Sequence, residues 1–315
     1  MDADVYLEEE DERFTNRSEH VKDFSVFDFN YVPEKPLLRN ETKPLLNAVI
    51  RLKRSGIPTH QLIVGSRGSG KTLTLKHLQS VIPASTGVDV VYVNCRHQNT
   101  SFKILAHLVG GRTAGASLAD LYGRLLLVHP GKTIVVLDEL DLMSPKDRQR
   151  EVLYLLSRSE QPYMVVALSN NHHVLNQLDA PTRSSSQPEV IHFPDYDAEQ
   201  IRMILQDRAR RGLKRWQEAD LAEIAGLTVS KTNADARVAI KTLCYLACGA
   251  YPDVRACFEM ARRDIVVDVV SDLSDANLMI ISAVAASESD LAKAIYQRYC
   301  RFSQAQLEKP YSYVH

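Results

Sequence analysis

Gly65-Ser66-Arg67-Gly68-Ser69-Gly70-Lys71-Thr72 is the stretch that decides the fold. It follows the apolar run Leu62-Ile63-Val64 and precedes Leu73-Thr74-Leu75-Lys76-His77-Leu78, whose apolar residues recur at helical spacing. Strand, glycine-rich turn and helix start are the context a P-loop needs. Glycines let backbone N–H groups close around phosphate oxygens, and the helix aims its positive N-terminal end at the same anion. In such a loop Lys71 reaches the β- and γ-phosphates, and the Thr72 hydroxyl holds Mg²⁺. The pattern implies a bound nucleoside triphosphate.

The 315 residues leave room for two or three domains. At 45% hydrophobic and 24% charged, the composition is that of an ordinary globular protein. A formal net charge of −1 gives no global basic signal, so affinity for nucleic acid would come from local patches. Cys95, Cys244, Cys248, Cys257 and Cys300 form no CxxC pair and no zinc spacing, which points to free thiols in a reducing cytosol. The longest apolar stretch, Ala276 to Ala286, is too short to span a bilayer and is broken by Asn277. No membrane association is expected.

Residues 1–23 open with Asp2, Asp4, Glu8, Glu9, Glu10, Asp11 and Glu12 before any basic residue, the mark of a solvated, disordered tail. A helix is expected over Thr42–Lys53, stopped by Ser55-Gly56. Val88–Val93, Thr133–Leu137, Tyr163–Leu168 and Val190–Phe193 read as buried strands, with helices over Phe102–Leu108, Leu118–Leu127 and Asp147–Ser157 between them. Apolar strands alternating with helices imply a parallel sheet covered on both faces. Beyond Pro194 only helical patterns remain: Ala198–Arg211, Glu218–Ala225, Ala234–Gly249, Val254–Val269, then Ala276–Ala286 and Ser289–Phe302.

Asp138 and Glu139 directly follow the apolar run ending at Leu137, and ligands of open α/β sheets gather at the carboxyl ends of strands. Asp138 would support the Mg²⁺, and Glu139 would polarise an attacking water. Asp141 is either a third carboxylate of the site or the cap of the next turn. Ser169-Asn170-Asn171 ends another strand with amides suited to a γ-phosphate, although such a triplet is also a common turn. Arg183 and Arg237 are the remaining candidates for phosphate contact.

This order of motifs resembles the AAA+ ATPases, and within them the archaeal replication initiators related to the large subunit of the origin recognition complex. The resemblance runs through Tyr31–Glu41, Gly65–Thr72, Val93-Asn94-Cys95-Arg96, Leu137–Asp141, Ser169-Asn170, Thr182–Ser185, Ile191–Tyr196 and Asp235-Ala236-Arg237. It implies an α/β fold: a P-loop core with a parallel sheet over residues 24–195, a helical lid over 196–272 and an incomplete winged-helix segment over 273–315. It further implies that Tyr31, Val32 and Pro33 border the adenine pocket, that Asn170 and Arg237 sense the γ-phosphate, and that Arg183 reaches a neighbour's nucleotide. Lys103 and Arg112, in the helical insertion Thr100–Arg112, would touch DNA phosphates.

The function implied is that of an ATP-binding initiator, cytoplasmic and nucleoid-associated. It would recognise origin double-stranded DNA and help load the replicative helicase, with slow hydrolysis to ADP as a conformational switch and paralogues or its own copies as partners. Two departures, the acidic opening and the short segment after Asp275, suit an alternative: a regulatory, ATP-dependent interaction partner without autonomous DNA binding.

Overall fold

The computed structural model describes residues 6–7, 11, 15, 18–144, 146–147, 150–271, 273–287 and 291–313. Of the acidic opening, Asp2, Asp4, Glu8, Glu9, Glu10 and Glu12 lie outside the described residues. Five parallel strands form one sheet in the order β2-β3-β4-β1-β5. They are β1 (Gln61–Gly65), β2 (Asp89–Asn94), β3 (Thr133–Asp138), β4 (Tyr163–Ser169) and β5 (Glu189–Phe193). The three central strands are buried at every residue, which is why their sequences run apolar without alternation.

Helices cover both faces. On one lie α1 (Lys43–Ser55) and α2 (Lys71–Thr86), whose Leu45, Leu52, Leu75 and Leu78 pack on Ile63, Val136 and Val166. On the other lie α3 (Ser101–Val109), α4 (Leu118–Val128) and α5 (Glu151–Ser157), packed on Leu62, Val135 and Val165. Gly56, at φ 71, caps α1 in the left-handed conformation that favours glycine. A short helix not anticipated from the sequence, α6 (Ala180–Ser186), starts where the Asp179 carboxylate accepts from Thr182 N.

The lid consists of α7 (Ala198–Gly212), α8 (Glu218–Lys231), α9 (Ala236–Ala247) and α10 (Val254–Ser271). Two further helices follow, α11 (Asp275–Ala285) and α12 (Ala292–Ala305). No strand follows them among the described residues.

Three expectations need correction. The helix placed at Asp147 begins at Glu151, because turns carry the chain to a left-handed Arg150 at φ 43 and the Asp147 carboxylate accepts from Ser101 N instead. Helix α8 continues to Lys231 past its expected end at Ala225, because Thr228 extends the buried stripe of Leu221, Ile224 and Ala225. The boundary at residue 24 also moves. Val21 bridges Leu213, Lys22 N donates to Gly212 O, and Val26 and Phe27 join the apolar cluster of α7, α8 and α9. Residues 18–31 thus pack against the lid.

That packing depends on Gly212. A Cβ there would collide with the Val26 side chain and meet Asp23 O at 3.0 Å, whereas a Cβ at Gly226 meets nothing within 4 Å. Gly212→Ala should therefore lower the unfolding free energy by about 1–3 kcal/mol through overpacking. Gly226→Ala should raise it by about 0.5–1 kcal/mol through helix propensity. Denaturant midpoints of the two variants measure both; a shift of the same sign in each would refute this account of the close approach.

Candidate functional site

The sheet order sets the site. Because β4 lies between β1 and β3, the carboxyl ends of all three deliver Gly65, Asp138 and Asn170 to one edge. After Gly65 the loop turns through Gly68 at φ 78 and Gly70 at φ 85, and α2 starts at Lys71. A Cβ at Gly68 would strike the Asp235 carboxylate, and one at Gly70 would strike the Tyr196 hydroxyl. These glycines therefore serve two needs: left-handed backbone, and space for the lid to touch the loop.

Lys71 is 7% exposed and spends its three donors on Gly65 O at 2.8 Å, Ser66 O at 2.8 Å and Asn170 Oδ1 at 2.9 Å. Burial pushes its ammonium down to about 8, against the opposing pull of Asp138 and Asp141. Beside it, Thr72 Oγ1 donates to Asp138 Oδ2 at 2.8 Å, and Glu139 N donates to Asp138 Oδ1 at 2.8 Å. A hydroxyl and a carboxylate oxygen this close suit a hard divalent cation such as Mg²⁺. Glu139 itself stands at φ 55, and Arg96 Nε lies 3.3 Å from its Oε2.

A cavity of about 640 Å³ opens above the loop, walled by Arg67–Thr72, Asp138, Glu139, Asn170 and, from the lid, Arg237. Gly65 and Ser66 lie beneath it, their carbonyls taken by Lys71, and the Ser66 hydroxyl donates to Asp195. Arg237, in the first turn of α9, is held by Asp235 at 2.5 Å, and the Asp268 charge also favours its charged form.

Other candidates fall outside the cavity. Pro33 lines it, but Tyr31 and Val32 do not. The Tyr31 ring lies under the Arg208 guanidinium, 4.7 Å from its centroid, and Arg208 also donates to the carbonyls of Val26, Asp28 and Tyr31. The lid thus holds Tyr31, and of the three residues implied to border the adenine, Pro33 is the one that lines the cavity. Arg183 is exposed on α6, away from the cavity. Lys103 and Arg112 are exposed on the α3–α4 hairpin, with Lys103 Nζ donating to Asn99 Oδ1 at 3.1 Å.

Three site residues, Arg39, Tyr92 and Arg96, had no role assigned from the sequence, and Asp141 had two left open. Arg39 is 8% exposed and donates at 2.7 Å to both Ser69 O and Pro194 O, with its guanidinium over the rings of Phe193 and Tyr196. Asp141 holds the end of β4, accepting from Ser169 Oγ at 2.8 Å and Asn170 N at 3.2 Å, and its charge supports the Lys71 ammonium, as a third carboxylate of the site. Tyr92 and Arg96, both from the β2 end, contact Asp138 and Glu139. Only the apolar strand ending before Arg96 hinted at the last two.

The family described as "AAA domain" matches residues 58–185. An "ORC1-type DNA replication protein" of Thermococcus onnurineus is 27% identical over 264 residues, covering 76% of this chain. The chain spans 63% of the length of that relative. The Aeropyrum pernix ORC1 protein in complex with DNA has a similar fold, with a TM-score of 0.69, 24% identity and coverage of 94% of this chain and 85% of that one. The Aeropyrum pernix ORC2 protein in ADPNP-ADP complexes gives a TM-score of 0.64, 26% identity, and coverage of 94% and 87%.

The buried ammonium makes binding pH-dependent. A polyphosphate beside Lys71 raises its affinity for a proton above the value near 8 in the free protein. Between the two values the complex holds more protons than the free chain, so binding takes protons up. Calorimetry of ATP binding in buffers of different ionisation enthalpy should show uptake of about half a proton at pH 8, where the terminal phosphate is already ionised. Absence of uptake at pH 8 would contradict the depressed Lys71.

Proposed function

Because the chain carries an AAA domain and is similar to ORC1-type DNA replication proteins over most of its length, we propose that it is an ATP-binding replication initiator. The observation that carries this reading is the meeting of Lys71, Thr72, Asp138, Glu139, Asn170 and Arg237 on one cavity between core and lid. ATP places its phosphates over Arg67–Thr72 and takes the Lys71 ammonium away from the loop carbonyls. Thr72, with Asp138 behind it, would hold a Mg²⁺, which would supply positive charge to offset that of the phosphates. Glu139, once released from Arg96, orients and polarises the attacking water. Arg237 and Asn170 differ in what they can contact before and after the γ-phosphate leaves, so hydrolysis switches the lid rather than driving a fast cycle.

Origin double-stranded DNA is the proposed polymer partner, with Lys103 and Arg112 offering phosphate contacts from the exposed α3–α4 hairpin. Loading of the replicative helicase would follow from the nucleotide-switched lid. The acidic opening favours a second reading, an ATP-dependent assembly partner of another initiator, since carboxylates at the start of the chain repel a phosphate backbone. Arg183, exposed and outside its own cavity, fits self-assembly or pairing with a paralogue in either reading.

One measurement tests the nucleotide site that both readings share, and a second separates them. Lys71→Ala should abolish ATP binding, whereas Glu139→Gln should retain binding and slow hydrolysis at least about 100-fold. Unchanged turnover in the Glu139 variant would show that another group positions the water. Affinity for an origin duplex should fall as salt rises, and losing Lys103 or Arg112 should each reduce the log–log slope by about 0.9. Strong ATP-dependent co-assembly with an initiator paralogue, but no affinity for duplex at low salt, would favour the second reading.

A further inference from the structure

Asp138 is 3% exposed, and its orientation rests on three donors from three parts of the fold. Glu139 N holds Oδ1 at 2.8 Å, Thr72 Oγ1 holds Oδ2 at 2.8 Å, and Tyr92 OH holds the same Oδ2 at 2.6 Å. The strand register brings the phenol there. Asn94 pairs with Asp138 and Tyr92 with Val136, so Tyr92 and Asp138 are diagonal neighbours on one face of the sheet. A diagonal pair lies about 7–8 Å apart at the backbone, a gap that a phenol spans and a shorter side chain does not.

The three donors are not equivalent. Thr72 is the hydroxyl that the P-loop offers to a cation, so its bond to Asp138 is shared with that task. The backbone bond leaves the outer oxygen unconstrained. Tyr92 does not line the cavity, so its bond to Oδ2 is not shared with a cation or a nucleotide.

We propose that Tyr92 is a positioning residue for the Mg²⁺ that accompanies ATP, acting through the outer oxygen of Asp138. The inference rests on the nucleotide reading above. Hydrogen-bond partners of this kind hold a carboxylate in the orientation a cation needs, and their loss typically weakens metal affinity 10–100-fold. Tyr92→Phe removes the donor and keeps the ring that packs beside Val90 against the sheet core.

The test follows binding of a fluorescent ATP analogue while Mg²⁺ is titrated, in wild type, Tyr92→Phe and Tyr92→Leu. In the metal-free state, wild type and the Phe variant should bind the analogue equally. With Mg²⁺ added, the Phe variant should need about tenfold more cation for half-saturation. A packing role alone would leave Phe identical to wild type and impair only Leu, and that result overturns the proposal. Equal weakening of the Phe variant with and without Mg²⁺ overturns it too, since the effect would then lie in the nucleotide pocket at large. Failure of wild type to bind the analogue under any condition would instead remove the nucleotide reading, and this inference with it.

Discussion

A buried ammonium must find three acceptors, and the core of this protein is arranged so that Lys71 does. Gly65 O and Ser66 O come from the end of β1, and Asn170 Oδ1 comes from the end of β4. The bond to Asn170 works only because β4 is the direct neighbour of β1, and Asn170 is itself held by Asp141 from the far end of β3. One charge therefore ties three strand ends together. Desolvation works against that charge, while Asp138 and Asp141 support it. A triphosphate supplies more negative charge than either, which makes the loop a site poised for an anion rather than a closed structural turn.

The same loop carries the lid. Asp235 rests against Gly68, Tyr196 against Gly70, and Ser66 donates to Asp195. Arg39 completes the joint by bonding a loop carbonyl and the Pro194 carbonyl at the start of the lid, with its guanidinium over two rings. Charge-assisted bonds from a buried guanidinium contribute about 1.5–3 kcal/mol each, well above an exposed ion pair. The lid and the phosphate loop are thus joined directly, through these side chains. The pairing of Arg237 with Asp235 places the lid arginine on the same joint.

The strands and the loop were legible because burial on both faces writes itself as unbroken apolar runs, and a phosphate cradle needs glycine at fixed spacing. Asp138 and Asn170 followed, since strand ends can be located from the same runs. What was not legible depends on contacts between distant parts of the chain. Arg39 meets Pro194 across 155 positions, and Arg208 meets the Tyr31 carbonyl across 177. Neither contact leaves a periodic trace, so residues 18–23 read as tail. The end of α8 was missed for a different reason: its buried stripe continues beyond Ala225, across Gly226 to Thr228.

Asp138 and Glu139 are neighbours in sequence with opposite mechanical properties. Asp138 ends a strand, is almost fully buried and has both oxygens bonded. Breaking those bonds in a buried place costs about 1–3 kcal/mol for each group left unsatisfied. Glu139 has left the strand geometry for φ 55, at a cost of about 1–2 kcal/mol, and is 24% exposed beside an Arg96 that is 36% exposed. An ion pair that open to solvent is worth about 0–1 kcal/mol, so its carboxylate changes partner readily. A cation needs a fixed carboxylate, and an attacking water needs one that can turn towards it. The end of β3 supplies both within a single dipeptide.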